Sequence, residues 1–214
     1  MPRKQEALDL PKIRPQIDRV EPSAAIVGGE LHIRGRNFVL NGGRPSVRIG
    51  RHNAHLVMAG EQYIIARVPE AAAEGELVVS DGERSSSPIE THIGVQMADS
   101  LHPVANPAVD AEGNVYSTFS GSRGQKSPVS LYKIDTNANS KPFVTDLMNP
   151  TGLAFDSEGL LYVSSRYDGI VYQITPAGNM TVYVEGMGVA SGLAFDGEEN
   201  LYVGDRSGTI FKIS

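Results

Sequence analysis

The stretch GLAFDSEGLLYVSSR at 152–166 returns as GLAFDGEENLYVGDR at 192–206. Gly152, Leu153, Ala154, Phe155 and Asp156 match Gly192, Leu193, Ala194, Phe195 and Asp196, and Leu161, Tyr162, Val163 and Arg166 match Leu201, Tyr202, Val203 and Arg206. Each pair is 40 residues apart, the period of a propeller blade or another stacked array. A looser copy lies upstream at Ala108, Val109, Asp110, Glu112-Gly113 and Val115-Tyr116. Within the middle copy, apolar runs predict strands over 151–155, 160–164, 169–174 and 180–184, separated by turn-forming residues. Four antiparallel strands in about 40 residues make one blade. The first copy is longer because GSRGQKSP (121–128) falls between its second and third strands. The third copy runs to Ser214, where the loop to an outermost strand would begin. Propeller rings close with roughly four to eight blades, so a fragment, or a ring completed by another chain, is expected.

The region before the repeats has a different rhythm. Residues 1–13 are charged and read as a flexible tail. Short apolar runs at 15–20, 30–35, 45–49, 54–58, 62–68 and 75–80 are separated by Gly28-Gly29, Gly42-Gly43, Gly60 and Asp81-Gly82. Strands at that spacing predict an all-β sandwich over 14–95. A linker over 96–103 then leads to blades at about 104–148, 149–189 and 190–214. Ile93 to Met97 fits either the last sandwich strand or a strand of the next domain.

Composition narrows the function. The chain has no Cys, which removes disulfides, thiolate metal sites and a cysteine nucleophile. No apolar stretch has the length of a signal peptide or a membrane span, so a cytoplasmic protein without a membrane partner is the default expectation. Residues 1–92 carry twelve Lys/Arg and twelve Asp/Glu; residues 93–214 carry seven and thirteen, which accounts for the whole net charge of −6. An acidic repeat region repels phosphates, so no nucleic-acid partner is expected.

Two resemblances follow. PQIDRVEPSAAIVGGELHIRGRNF (15–38), with VRIG and ELVVSDGERSSSP after it, resembles IPT/TIG domains, through Pro22-Ser23, Gly28-Gly29 and Gly35-Arg36-Asn37-Phe38. The resemblance implies an immunoglobulin-like sandwich acting as a spacer or interaction module. PTGLAFDSEGLLYVSS is similar to NHL repeats and to the gluconolactonase/regucalcin-like (strictosidine synthase-like) six-bladed propellers.

The propeller resemblance implies a test of chemistry. Gluconolactonase-like enzymes hold a divalent Ca, Mg or Zn ion at the channel through Glu, Asn and Asp oxygens, a characteristic ligand being the Asn of a P-N-G-L-A-F run. The corresponding slots here hold Thr151, Ser191 and Ala105. The acidic residue expected near the start of the first blade is missing too. No cofactor is therefore evident, and a metal belongs only to an alternative in which ligands lie beyond Ser214.

Asn106 and Asn149 sit beside the slots; each reads either as a turn former before Pro or as a channel-facing group. Arg166 and Arg206 follow the second strands. With Asp168 and Asp205 nearby, a blade-to-blade ion pair is their expected role and ligand anchoring the alternative. Arg123 and Lys126 lie in the Gly/Ser-rich insertion, a flexible loop expected at the same rim. Asp110, Asp156 and Asp196 are expected to cap their own turns. Tyr116, Tyr162 and Tyr202, like Phe155 and Phe195, are expected to pack between blades. The scattered histidines offer no third zinc ligand, and no phosphate loop or nucleophile elbow is present.

The leading expectation is a non-catalytic protein binding a small molecule or a protein. The alternatives are a metal-dependent lactone hydrolase and a lyase resembling the streptogramin-inactivating propellers, which would need a channel His and Glu.

Overall fold

A computed structural model describes residues 13–39, 43–72, 75–101 and 106–214. Residues 1–12 of the expected tail (1–13) and the slot residue Ala105 lie outside the described residues. The chain divides into two compact units, Met1–Gln96 and Met97–Ser214. All regular elements among the described residues are β-strands, and no helix is long and apolar enough to cross a membrane.

In the first unit, β1 (Gln16–Glu21), β3 (Glu30–Arg36), β7 (Tyr63–Arg67) and β6 (His55–Ala59) form one sheet, in the order β1-β3-β7-β6. The second sheet runs β2-β9-β8-β4-β5, from β2 (Ala24–Ile26), β9 (Ile89–Gly94), β8 (Gly75–Ser80), β4 (Ser46–Ile49) and β5 (His52–Asn53). Ile93 therefore belongs to this unit, paired in parallel with Ala25. Period-two alternation sends Leu31 and Ile33, Val47 and Ile49, and Ile64 and Ala66 into one core, all at 0% exposure.

Phe38 seals that core, also at 0%, and its burial stabilises the unit by about 2–3 kcal/mol. The Gly-x-Asn-Phe order explains how it gets there. Asn37 takes the left-handed φ of 61°, turning the chain back, and a Cβ at Gly35 would lie 2.5 Å from the Phe38 ring. Only glycine leaves that space.

The second unit is a run of β-meanders of the propeller-blade type. The first blade is β10 (Ala108–Val109), β11 (Val115–Thr118), β12 (Leu131–Ile134) and β13 (Ser140–Val144). The second is β14 (Pro150–Phe155), β15 (Leu161–Ser165), β16 (Val171–Ile174) and β17 (Met180–Val184). The third has three strands, β18 (Ala190–Phe195), β19 (Leu201–Asp205) and β20 (Ile210–Ile213). Registers repeat: Leu161 faces Ile174 as Leu201 faces Ile213.

Successive blades are joined by the repeated aromatics. Tyr116 meets Phe155 edge-on at 5.2 Å, and Tyr162 meets Phe195 at 4.8 Å. Such pairs add about 0.5–1.5 kcal/mol beyond their buried area. At the turns between first and second strands, Asp110, Asp156 and Asp196 each accept main-chain amides two and four residues on. The turn-capping role expected for the three aspartates is seen, as is packing between blades for Tyr116, Phe155, Tyr162 and Phe195, whereas Tyr202 meets Lys212 and Asp196 of its own blade.

One blade face differs from the others. Ile210 of β20 is 74% exposed, whereas its equivalents Leu131 and Val171 are at 0%. Those two are covered by packing that Ile210 does not have.

Candidate functional site

The candidate residues gather where second strands end and first strands begin. Thr151 and Ser191 begin the first strands of the second and third blades, and both hydroxyls are engaged in the fold. Thr151 Oγ1 donates to Ala190 O at 3.0 Å, and Ser191 Oγ donates to Gly204 O at 2.9 Å. Between them the fully buried Ser164 hydroxyl accepts from Gly152 N at 2.8 Å and donates to Ser191 O at 2.7 Å. A Cβ at Gly152 would lie 2.1 Å from Ser191 O. These residues form a seam between the second and third blades. Neither slot brings a carboxylate or amide oxygen, so the set does not fit a divalent cation. Among the described residues, no three His, Cys, Asp or Glu side chains come together in a way that could hold a metal.

Asn149 is neither exposed nor aimed at open space. It is 2% exposed, with a φ of 43° that turns the chain into β14. Its Nδ2 donates to Gly121 O at 3.1 Å and Ser122 O at 3.0 Å, and its Oδ1 accepts from Gly124 N at 2.6 Å. Arg166 Nη2 donates to Gly121 O at 2.8 Å and to Ser120 Oγ at 3.4 Å. The insertion is thus bonded from below: a buried amide and a guanidinium satisfy several of its main-chain groups. Arg123 and Lys126 of the loop are both exposed, and Lys126 pairs with Asp146 at 2.7 Å. Asn106 is exposed beside Pro107, and the structure does not bring it to the clamp.

Among the described residues, neither Arg166 nor Arg206 forms the ion pair expected of it. Asp168 instead accepts from Ile170 N at 3.2 Å and Tyr172 Oη at 3.0 Å. Burial, with that carboxylate, pushes the Tyr172 phenol up to about 12. Asp205 accepts from the Ser207 hydroxyl and from Val189 N at 2.7 Å, and these bonds hold its carboxyl below the ordinary range. Asp168 serves its own turn and Asp205 holds both its own turn and the chain entering β18, so proximity in sequence is misleading here. Arg206 is exposed. Its amide bonds Val189 O as the Arg166 amide bonds Asn149 O, so the two side chains leave equivalent corners of successive blades.

Sequence reasoning did not single out Ser120, Ser164 or Lys133. The serines carried no motif; only the contacts across blades reveal them. Lys133 lines a cleft of about 450 Å³ between the aspartate turns of the first two blades, with Asp110, Glu112, Tyr116, Phe155 and Glu158. Its Nζ lies 3.4 Å from Asp110 and 5.1 Å from the Tyr116 ring centre. The Tyr116 hydroxyl helps hold Lys133 protonated, raising it above its ordinary value, and burial raises Tyr116. Burial also pushes Asp110 up, but the Asn114 amides outweigh it and keep the carboxyl low. At neutral pH this group is a fixed ion pair beside a phenol, without a free amine or a phenolate to act as nucleophile or base.

No protein-family model matches the chain, and no curated protein matches it. Solved structures similar to it include an auxiliary nutrient binding protein from Bacteroides ovatus, 10% identical, TM-score 0.44, covering 94% of this chain and 70% of that one. A protein ascribed to the gluconolactonases is 16% identical, TM-score 0.44, over 65% of this chain and 57% of that one. A virginiamycin B lyase from Staphylococcus aureus is 10% identical, TM-score 0.41, over 93% and 83%.

Proposed function

We propose that the protein is a non-catalytic binding protein, in which an immunoglobulin-like IPT/TIG module accompanies an NHL/gluconolactonase-like propeller of a six-bladed type. The observation that carries the reading is the seam: Thr151 and Ser191 stand in the ligand slots, with their hydroxyls committed to Ala190 O and Gly204 O. A site for a small molecule or a protein segment then lies at the clamped-loop end, among Arg123, Arg166 and Arg206.

The alternative is a metal-dependent lactone hydrolase whose ligands are supplied by other blades. An assay of the full chain against aldonolactones, with and without EDTA, separates the two. The binding reading expects no turnover that EDTA abolishes; EDTA-sensitive hydrolysis overturns it.

A further inference from the structure

The turns that join first to second strands share one construction in the three blades and differ at one position. Gly113, Gly159 and Glu199 each donate a main-chain amide to the carbonyl of the aspartate three residues back, Asp110, Asp156 and Asp196. All three are left-handed, with φ of 84°, 81° and 64°. That conformation favours glycine, so a glutamate held there calls for a compensating contact. The contact is present. Glu199 Oε2 accepts from Ser157 N at 3.3 Å, so a carboxylate of the third blade bridges to the turn of the second.

One blade earlier the bridge is missing. Gly159 stands where Glu199 stands, and a Cβ added to it would meet nothing within 4 Å. Ala111 stands where Ser157 stands, and its amide has no acceptor among the described residues. Both residues line the cleft of about 450 Å³ between the first two blades. A second difference answers the first. Tyr162 has Gln173 opposite it, whereas Tyr116 has Lys133, and Lys133 lines the same cleft. Its side chain is 37% exposed, and an ammonium has three donors, of which one goes to Asp110. The first gap therefore lacks the carboxylate of the second and carries a cation in place of an amide.

We propose that this cleft binds a small carboxylic acid with an apolar body. The Ala111 amide and Lys133 take its carboxylate, as Ser157 N takes that of Glu199, and the body lies against Tyr116, Phe143, Phe155 and Pro176. Its volume falls in the range of small-molecule sites, roughly 300–1,000 Å³. The exposed Glu112 and Glu158 also line the cleft. Their counterparts in the next pair of turns, Glu158 and Glu198, do not keep the Glu199 carboxylate from Ser157 N, although the neutral Gln173 stands there in place of Lys133. The cleft lies at the opposite end of the second strands from Arg166 and is separate from the site among the arginines.

The test is titration of the full chain with 3-phenylpropanoate and with its neutral amide, followed by the NMR shift of the Ala111 amide. The acid binds and moves that resonance, and the neutral amide binds at least about tenfold more weakly, as loss of a charged hydrogen bond implies. Lys133→Gln, which installs the residue found one blade on, weakens the acid by a similar factor. Gly159→Glu supplies the missing bridge from within the chain and abolishes binding of the acid. Equal affinity for the acid and its amide, no binding of the acid, or undiminished binding by Gly159→Glu overturns the assignment. Circular dichroism checks that Gly159→Glu is folded; if it is not, Lys133→Gln decides, unchanged affinity overturning the site and weakened affinity supporting it.

Discussion

At the residue scale, the repeated aspartates have a measurable consequence. Asn200, through its side chain and its amide, holds Asp196 down to about 2, against about 3.9 for an unperturbed aspartate. Because the folded value is the lower one, the charged carboxylate stabilises the fold above about pH 4, and that contribution is lost as pH falls toward 2. Thermal unfolding followed between pH 4 and pH 2 should show a steep loss of stability. Asp196→Asn should start lower and lose less over the same range; parallel curves for the two proteins would contradict the assignment. The role of this aspartate was legible in sequence, because its partners lie two and four residues on. That of Asn149 was not. Its partners Gly121, Ser122 and Gly124 lie 25 to 28 residues back, and no local pattern announces them. Arg166 shows the opposite failure, with Asp168 a plausible partner by spacing until Tyr172 is seen to hold it.

At the element scale, the blade face explains why the repeat exists. Tyr162 packs on Phe195 and Tyr116 on Phe155, so each copy is completed by its successor. Strand positions and the aromatic pairs followed from the 40-residue period, since alternation and recurrence are local signals. The third blade presents Ile210 at 74% exposure, together with the strand edge of β20. An exposed apolar surface beside an unpaired edge invites association. The full chain should therefore show concentration-dependent self-association by analytical ultracentrifugation, and Ile210→Lys should reduce it. A chain that stays monomeric at high concentration, or association indifferent to Ile210→Lys, would count against this face as a docking surface.

At the scale of the whole molecule, the two units follow different construction rules. The first encloses one core between two sheets, sealed by Phe38 over Gly35. The second is built blade by blade, with chemistry-bearing side chains largely committed to holding one blade against the next. The repeat that organises the sequence is, on this account, a set of seam and turn residues. Gly152 and Gly192 are the same letter of the motif in different surroundings. An alanine Cβ at Gly152 would meet Ser191 O at 2.1 Å, while at Gly192 nothing lies within 4 Å. The most direct test is thermal unfolding of Gly152→Ala beside Gly192→Ala. Gly152→Ala should lose about 3 kcal/mol, roughly 10 °C in the melting of that unit, while Gly192→Ala should change stability by less than about 0.5 kcal/mol. Equal effects of the two substitutions would contradict the claim that the motif is a seam between blades.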